Sequence, residues 1–301
     1  MIVDRAYNIQ RFFVNTHIHA IEMAAWHFLR FYLNKRLPVY YKKHPVMSGK
    51  PCSGWTEKEV IISLTTFPDR MDTLPIVLET LFRQTVKPTK IQLWLADEQY
   101  PNKQAVDRQL RQYIDMGLEI QYCDDIKSHK KYFYAMLNHP DAIVVTVDDD
   151  IIYSETMLEK LLTIHKEHPT SIVAHRAHLM LKEHGVLLPY NNWKHCVKDC
   201  LELDLYLCPT GCAGCLYPPH SLSEHVFDKD VLKQICFYAD DLWLKAMEYL
   251  HGTQVVLTAK DNPEVFTIMG SDENGLAKQN VQHSKNDEQI KAVTSYYNIK
   301  W

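Results

Sequence analysis

The sequence predicts an α/β fold built on a doubly wound, mostly parallel sheet. From Val60 onward, short runs of β-branched and apolar residues alternate with stretches of helical periodicity. This alternation is typical of a parallel sheet with helices on both faces. One run, Ala142 to Val147, is apolar throughout, as expected for a strand buried on both faces. Three aspartates, Asp148 to Asp150, follow it directly.

Composition limits the class of protein. With 301 residues, of which 46% are hydrophobic and 23% charged, the chain has the length and composition of one large globular domain, with or without an appendage. A net charge of −4 and a pI near 6.5 are not the basic footprint of a nucleic-acid binder, so no nucleic-acid partner is expected. Eight cysteines do not make a disulfide scaffold at this length, and no signal peptide opens the chain. We therefore expect a reducing cytoplasm and, without eighteen consecutive apolar residues, no membrane-spanning helix.

The first fifty residues differ from the rest and predict a helical extension. Basic residues greatly outnumber acidic ones there: the basic residues include Arg5, Arg11, Arg30, Lys35, Arg36, Lys42 and Lys43, against only Asp4 and Glu22. Apolar and aromatic residues fit one face of a helix that ends at Pro38. Such a face is typical of a helix in a membrane interface and equally of one that packs on a domain or a second subunit. The predicted domains are residues 1–55, the extension, and residues 56–301.

The remaining elements follow in order. Strands are predicted at residues 60–68, 90–98, 118–125, 142–147, 171–180 and 254–259, each rich in β-branched or aromatic residues. Helices are predicted at about residues 72–84, 102–116, 127–137, 155–168 and within 222–251, with a closing helix after the polar tail. Residues 185–219 are turn-rich and aromatic, which is typical of a functional loop region.

The three aspartates are the first candidate site. In extended backbone Asp148 and Asp150 point to one side and Asp149 to the other. Ligands of open α/β sheets bind beyond the carboxyl ends of the strands, and oxygen ligands at this spacing suit Mg²⁺ or Mn²⁺ carrying a substrate's phosphates. The alternative is a helix cap, which needs only one carboxylate. His283, in the polar tail, is a candidate third metal ligand, and its alternative is a surface loop residue.

A second pair of carboxylates, Asp240 and Asp241, lies within an apolar helical pattern beside Trp243. Such a pair is costly to desolvate, and a carboxylate in an apolar pocket can act as a general base. The alternative is an exposed N-cap. Gly211 and Gly214 permit a tight loop that approaches a ligand, or simply a turn.

The cysteines predict no zinc site. Cys212 and Cys215 have the Cys-x-x-Cys spacing, but no second pair matches it. We expect small buried thiols instead.

Residues from about 60 to 289 resemble the GT-A class of nucleotide-sugar glycosyltransferases. More narrowly, they resemble the family-2-like bacterial enzymes of surface-polysaccharide and lipopolysaccharide assembly. The resemblance is carried by ISLTTFPDR, SHKKYFYAM, VTVDDDIIY, TGCAGCLYPP and ADDLW. Two departures are visible, because the last segment has Ala-Asp-Asp where Glu-Asp is usual and the arginine-rich processive motif is missing. Transfer of one sugar is therefore expected in place of polymerisation.

The resemblance implies a role for each candidate residue. It implies Asp241 as the catalytic base with Asp240 beside it, and a Mn²⁺ or Mg²⁺ ion on Asp148 and Asp150, to which His283 is added as the third ligand. The implied donor-binding residues are Thr65, Arg70, Asp97, Lys130, Asp148 and Asp149. The implied acceptor-binding residues are Gly211, Gly214 and Trp243.

The predicted function is transfer of a hexosyl-type sugar, with inversion, from a nucleotide-sugar donor to a hydroxyl of a glycan or glycolipid acceptor. The resemblance places this reaction in lipopolysaccharide or capsule biosynthesis, in the cytoplasm, with peripheral membrane contact through residues 1–50. One alternative is a Mg²⁺-dependent phosphatase or phosphotransferase of the haloacid-dehalogenase type, with Asp148 as nucleophile. Its Asp-x-Asp normally follows the first strand, whereas here it follows the fourth. Another is a non-enzymatic membrane-associated module, which leaves the aspartates unused.

Overall fold

The computed structural model describes residues 2–16, 18–46, 50–198, 202–260, 262–271 and 285–301. In chain order its strands are β1 (Lys50–Pro51), β2 (Val60–Thr65), β3 (Val86–Lys87), β4 (Lys90–Ala96), β5 (Leu118–Cys123), β6 (Ile143–Thr146), β7 (Ile151–Ile152), β8 (Ile172–Ala174), β9 (Ala177–Leu179), β10 (Lys182–Glu183), β11 (Val186–Leu187), β12 (Leu207–Pro209), β13 (Cys215–Tyr217), β14 (Val255–Leu257) and β15 (Phe266–Thr267). The α-helices are α1 (Ile2–Val14), α2 (His19–Lys43), α3 (Leu74–Phe82), α4 (Lys103–Gln109), α5 (Arg111–Asp115), α6 (Lys130–Asn138), α7 (Met157–Glu167), α8 (Lys229–Ile235), α9 (Asp240–His251) and α10 (Lys285–Tyr296).

A seven-stranded sheet forms the centre, in the order β14-β8-β13-β6-β2-β4-β5. All neighbouring strands are parallel except β13, which runs antiparallel to both β6 and β8. The aspartate-tipped strand β6 lies in the middle of the sheet, where both of its faces are covered. The predicted α/β fold class is confirmed: a doubly wound, mostly parallel sheet with an N-terminal helical extension.

Helices cover both faces of the sheet. Along β2, Val60, Ile62 and Leu64 point into the core that α3 and α7 cover. On the opposite face α6 lies against the strands, where the Ser63 hydroxyl donates a hydrogen bond to the Lys131 carbonyl. A second apolar core joins β8, β13 and β14 to α9 and α10. The carboxyl ends of β2, β4 and β6 are thereby held together at one edge.

The helices α1 and α2 pack against the rest of the chain. The Tyr7 hydroxyl donates to the Ile152 carbonyl at 2.8 Å, and the Trp26 indole donates to the Val265 carbonyl at 3.0 Å. One stripe of α2 is buried in the same core as α3 and α7: Leu29, Leu33, Leu37 and Tyr41. This packing role is one of the two that the sequence left open.

The prediction that the N-terminal helix ends at Pro38 is wrong, because α2 continues to Lys43. A proline inside a helix costs about 3 kcal/mol or more. Here the buried stripe continues past the proline to Tyr41, whose ring lies 4.6 Å from the guanidinium carbon of Arg83. Tertiary packing therefore outweighs the local cost. Across the described helices, none combines the length and the apolar character needed to cross a bilayer.

Two other predicted elements are divided. The helix predicted at residues 102–116 is interrupted at Leu110, which separates α4 from α5. The strand predicted at residues 171–180 becomes β8 and β9, and these pair with different partners, β13 and β12. The chain between them, at His175 and Arg176, leaves the central sheet. This break matters because both side chains lie near the candidate site.

Candidate active site

The backbone leaves β6 at Thr146 and turns at Asp149 and Asp150 before β7. Because this is a turn, the alternation expected of extended backbone is not kept. Asp148 alone faces the Lys131 ammonium, and Asp149 and Asp150 both face Arg70. None of the three caps α7, which begins several residues later after Thr156. The helix-cap alternative therefore does not apply to them.

Arg70 ties the turn to the end of β2. Its guanidinium contacts a carboxylate oxygen of Asp149 and lies 3.0 Å from Oδ2 of Asp150. The Thr66 hydroxyl donates to the other oxygen of Asp149 at 2.6 Å. Burial raises the pKa of Asp149, although Arg70 acts in the opposite direction. Asp149 is thus an internal anchor for Arg70, with protein partners on both of its oxygens.

Lys131 connects the two acidic groups. Its ammonium lies 2.5 Å from Oδ1 of Asp148 and 2.9 Å from Oδ2 of Asp240, and its side chain is only 4% exposed. Burial lowers the pKa of this lysine, but the surrounding carboxylates outweigh burial and raise the pKa well above its ordinary value. One buried positive charge is therefore shared between the end of β6 and the start of α9.

Asp240 and Asp241 occupy the first turn of α9, yet neither is its N-cap, which is Ala239. Asp240 accepts a hydrogen bond from the Ser128 hydroxyl at 2.7 Å, and Asp241 accepts one from the Gly211 N–H at 2.9 Å. Both carboxylates accept hydrogen bonds from residues that are distant in the sequence. The exposed-cap alternative is therefore excluded.

The two neighbouring carboxyl groups have very different proton affinities. Burial raises the pKa of Asp240, but the Lys131 ammonium, together with His129 and the hydrogen bond from Ser128, outweighs burial and holds this pKa at about 2. Burial and, next, the negative charge of Asp240 raise the pKa of Asp241 to about 7. Adjacent groups whose pKa values are pushed apart in this way mark an acid–base assignment. Asp240 stays ionised, and Asp241 is able to exchange a proton near neutral pH.

The loop from Thr210 to Gly214 closes over this cluster. A Cβ atom at Gly211 would lie 3.1 Å from the Lys131 nitrogen and 3.2 Å from Oδ1 of Asp241, so any larger residue would force these two side chains to shift by a few tenths of an ångström. Gly214 has a φ of +97°, which favours glycine. The close approach expected of this loop is made to the side chains of Lys131 and Asp241.

The carboxylates of Asp148 and Asp150 fit a divalent cation that binds together with substrate phosphates. In the described ranges, no three His, Cys, Asp or Glu side chains are arranged to hold a metal ion. Asp148 and Asp150 keep 30% and 18% of their side chains exposed. Mg²⁺ commonly binds through one or two carboxylates, substrate phosphates and water. These residues fit a cation that arrives with a diphosphate, and do not form a closed protein cage.

Three of the predicted residues that the structure describes lie apart from the cluster: Thr65, Asp97 and Trp243. Thr65 ends β2 and donates to the Trp94 carbonyl at 2.8 Å. Asp97 follows β4 at the same sheet edge, with a side chain 56% exposed and 2.5 Å from the Lys103 ammonium. Trp243 is fully buried, so its prediction as an acceptor contact is corrected: it is a core residue. His283 lies outside the residues that the structure describes.

Lys130 is also corrected, in favour of its neighbour. It is buried against Asp125, with 2.7 Å between the ammonium and Oδ1, and does not reach the acidic cluster. Lys131 does. The sequence predicted a lysine in this segment, but two adjacent lysines on a short, largely buried helix offer no periodicity signal to choose between them.

Tyr153 is a further residue that the sequence analysis missed. Its hydroxyl accepts from the Asp148 N–H at 2.7 Å and donates to the Cys212 carbonyl at 2.8 Å. It links the aspartate turn to the glycine loop. Its signal was its place at the end of the motif VTVDDDIIY.

The described cysteines are free thiols, and Cys208 and Cys215 are buried. Burial raises the pKa of Cys212 to about 12, so this thiol is protonated at neutral pH. Cys200 lies outside the described residues. These observations agree with buried thiols.

Comparison with known proteins gives likenesses in structure only. No protein-family model matches the chain, and no curated protein does. A mannosyltransferase, PcManGT from Pyrobaculum calidifontis, solved with GDP-Man and Mn²⁺, is 13% identical over 92% of this chain and 74% of that chain, with a TM-score of 0.46. TarS residues 1–349 from S. aureus, solved with UDP, is 15% identical over 66% and 57%, with a TM-score of 0.40. A CMP:2-keto-3-deoxy-manno-octonic acid synthetase with CTP is 10% identical over 66% and 88%, with a TM-score of 0.38. Because all three scores are below 0.5, the function proposed below rests on the site itself.

Proposed function

We propose that the chain is a metal-dependent glycosyltransferase that moves one sugar from a nucleotide-sugar donor to a hydroxyl of a glycan or glycolipid. The observation that carries this proposal is the meeting of two acidic groups at one buried ammonium. Asp148 comes from the end of β6 and Asp240 from the start of α9, and both contact Lys131. A displacement at a sugar carbon needs a cation for the leaving diphosphate and a base for the attacking hydroxyl. The two groups supply these separately.

Asp241 is the proposed base. Its pKa of about 7 leaves an appreciable carboxylate fraction at neutral pH and still gives it a useful proton affinity. The Gly211 N–H holds one of its oxygens, which fixes the orientation of the group. The carboxylate accepts the proton of the acceptor hydroxyl as the oxygen attacks. Asp240 remains ionised and raises the proton affinity of its neighbour.

The donor side is built on the aspartate turn. Asp148 and Asp150 would hold the cation, which, when bound, offsets the charge that develops on the leaving diphosphate. Arg70 fixes the turn through Asp149 and Asp150 and brings its own positive charge to the same edge. Thr65 and Asp97, at the ends of β2 and β4, remain the proposed contacts of the nucleoside.

Lys131 is proposed to hold the donor side of the site, at Asp148, next to the side that carries the base, at Asp240. Its ammonium contacts both Asp148 and Asp240 and lowers the pKa of the buried Asp240, which therefore stays ionised. Without this charge, burial would favour protonation of Asp240. Lys131 is therefore the lysine of this segment that the proposal uses, and its role is to balance charge, whereas the sequence analysis had expected Lys130 to bind the donor.

The finer points of the proposal rest on the resemblance and on loop geometry. Gly211 and Gly214 shape the loop that faces the acceptor. We place the base and the cation on opposite sides of the reacting carbon, which gives inversion, and transfer is of a hexosyl type. The acceptor belongs to lipopolysaccharide or capsule.

Peripheral membrane contact is proposed for the outer face of α1 and α2. Large apolar side chains are exposed on these helices and at Ile18 just before α2: Ile9, Phe12, Ile18, Ile21, Phe28, Phe31, Tyr32 and Val39. Basic residues outnumber acidic ones in the same helices. Exposed aromatic groups beside lysine and arginine are typical of binding to anionic lipid surfaces.

The test is a ligand panel read by thermal shift, with and without Mn²⁺. It contains UDP-, GDP-, CMP- and dTDP-sugars, the free nucleotides, and beryllofluoride as a phosphoryl analogue. Stabilisation by one class of nucleotide sugar that requires Mn²⁺ supports the transferase. A shift with beryllofluoride alone would replace it by the phosphotransferase. The absence of any metal-dependent shift would contradict both enzymes.

A further inference from the structure

One face of α9 carries two further charged side chains that the proposed mechanism does not use. Lys245 and Glu248 follow Asp241 by four and seven positions, which places all three on the same side of the helix. The Lys245 ammonium lies 2.5 Å from Oε1 of Glu248, and neither side chain is exposed. Taking two charges out of water is costly even when they pair, so this pair carries a large desolvation cost.

Lys245 also binds the backbone that leads into the glycine loop. Its ammonium donates to the Leu205 carbonyl at 2.6 Å and to the Leu207 carbonyl at 2.8 Å. With Glu248 as the third acceptor, all three N–H groups of the ammonium have partners. One buried side chain of α9 is therefore fully used in holding the start of β12.

The two carbonyls point away from the strand that pairs with β12. β12 forms a two-stranded sheet with β9, and the Tyr206 carbonyl accepts from the Met180 N–H beside β9 at 3.0 Å. Because carbonyls alternate in direction along a strand, those of Leu205 and Leu207 lie on the opposite edge. A buried carbonyl needs a donor, and on this edge the Lys245 ammonium supplies it.

The same stretch of chain is attached to α9 a second time. Four residues after Leu207, the Gly211 N–H donates to Oδ1 of Asp241 at 2.9 Å. On the helix, Asp241 lies four residues before Lys245, which is about 6 Å along the axis. Two attachments fix the distance and the direction of the loop relative to α9, whereas a single one would let the loop pivot.

Stability alone does not account for the pair. Oε2 of Glu248 is buried and has no hydrogen-bond partner among the residues that the structure describes. Burial raises the pKa of Glu248 to about 7, although Lys245 acts in the opposite direction. Replacing a buried ion pair by apolar residues of similar volume is often neutral or stabilising. The contacts of Lys245 with β12 therefore explain the pair better than its net contribution to stability does.

We propose that Lys245 is a positioning residue, which holds the start of β12 on α9 and so keeps the glycine loop in place against Asp241. Glu248 supplies the counter-charge that lets the ammonium stay buried. Giving the held carboxylate a part in sugar transfer rests on the proposed glycosyltransferase function. The attachment of the loop to α9 stands on the contacts of Lys245 and Gly211.

The groups around Asp241 and Glu248 leave the titration of Asp241 readable. Charge acts on Asp241 from Asp240 beside it, from Lys131 on α6 and from Asp148 after β6. Among the described residues, the thiols and phenols that face the two carboxyl groups from other elements are Tyr190, Cys208, Cys212, Cys215 and Tyr217. Burial raises the pKa of each of them, so they stay neutral near pH 7.

The decisive variant combines Lys245→Met with Glu248→Leu, since Lys245→Met alone would leave Glu248 buried without its counter-charge. The double variant should fold and bind the donor as the wild type does. Nucleotide release from the UDP- or GDP-sugar that binds in the thermal-shift panel, with water as the acceptor, should be about tenfold slower, because a displaced catalytic group loses rate. The pH–rate midpoint should move upward, because the Gly211 hydrogen bond lowers the pKa of Asp241 and the removed pair has no net negative charge.

Hydrogen exchange of the Gly211 amide, followed by NMR, measures the loop attachment without any activity. In the wild type this amide should be protected as strongly as the interior amides of α9, and in the double variant it should exchange about tenfold faster or more. Lys245→Gln, which keeps an N–H donor for one carbonyl, should give an intermediate rate and provides a second variant if the first does not fold.

Met247→Ala is the matched control. Met247 is fully buried two positions after Lys245, about 200° around the helix and thus on its opposite side. This variant should lower the melting temperature, because it leaves a cavity in the core. Gly211 exchange and the pH–rate midpoint should stay as in the wild type.

The outcomes separate the two proposals. Fast Gly211 exchange in the wild type, or wild-type exchange and midpoint in both folded Lys245 variants, would overturn the role of Lys245 alone. If Gly211 protection is lost in the double variant but the wild type binds no nucleotide sugar and releases no nucleotide, the glycosyltransferase proposal alone is overturned.

Discussion

Replacing Lys131 by methionine removes the one positive charge that Asp148 and Asp240 share. The lysine side chain is 4% exposed, so water does not replace the lost charge easily. Breaking a buried ion pair by removing one partner costs about 3–5 kcal/mol. Part of this cost can be read from Asp240, whose pKa of about 2 lies below its ordinary 3.8. At 1.36 kcal/mol per pKa unit, that depression corresponds to about 2 kcal/mol.

The cost should depend on pH in a defined direction. Because the folded-state pKa of Asp240 is depressed, its stabilising contribution is present above 3.8 and is lost as pH falls towards 2. In the Lys131→Met protein burial raises this pKa instead, so the carboxyl group takes up a proton at higher pH. The difference in free energy of unfolding between wild type and variant should therefore be largest near pH 8 and smaller near pH 5.

Urea unfolding followed by circular dichroism at both pH values measures this difference. Lys130→Met is a close control, because Lys130 is the adjacent residue, equally buried and paired with Asp125, which also contacts Lys127. Lys130→Met should lower the free energy of unfolding by less than Lys131→Met does. This loss should not involve the carboxylates of Asp148 and Asp240. A loss below about 1 kcal/mol in Lys131→Met at pH 8, or an equal loss at pH 5, would refute the reasoning.

Three other predictions follow from the site and the outer surface. Asp241→Asn should still bind the donor but turn over about 10² to 10⁴ times more slowly. It should also melt at a higher temperature than wild type at pH 8, because a carboxylate with a raised pKa costs stability there. Unchanged turnover at saturating substrates would remove Asp241 from the mechanism. Asp150→Asn should abolish Mn²⁺-dependent donor binding in the thermal-shift panel, whereas Asp115→Asn, an exposed aspartate on α5, should not. Phe12 and Phe28 are 67% and 68% exposed, and replacing both by serine should reduce co-sedimentation with anionic vesicles without lowering thermal stability. Unchanged co-sedimentation would contradict membrane contact through the outer face of α1 and α2.

Wild-type turnover should also report the titration of Asp241 directly. The activity is expected to rise with pH through about 7, because only the carboxylate form accepts a proton. In Lys131→Met the midpoint should move upward, since Lys131 lowers the pKa of Asp241. A pH–rate profile of both proteins measures the two midpoints.

Six of the seven strands of the central sheet were predictable because they follow local patterns, whereas β13 lies within residues 185–219, which were predicted as a loop region. The apolar run that became β6 and the alternation of strands and helices each depend on neighbouring residues only. The errors arose where distant parts of the chain decide. Pro38 is a strong local stop signal, yet the helix continues because Tyr41 packs on Arg83. The strand predicted at residues 171–180 divides because its halves pair with different strands.

The sequence by itself determined the chemistry available to this protein: three aspartates after a buried strand, a second acidic pair in an apolar helix, and two glycines in a loop. Only the tertiary structure decided how these groups are used. It selected Lys131 over Lys130, placed Trp243 in the core, and gave Asp240 and Asp241 opposite pKa shifts. The physical reason is that burial and ion pairing depend on residues that the fold brings together, such as Lys131 and Asp240, which lie more than one hundred positions apart. A local sequence pattern does not contain such contacts.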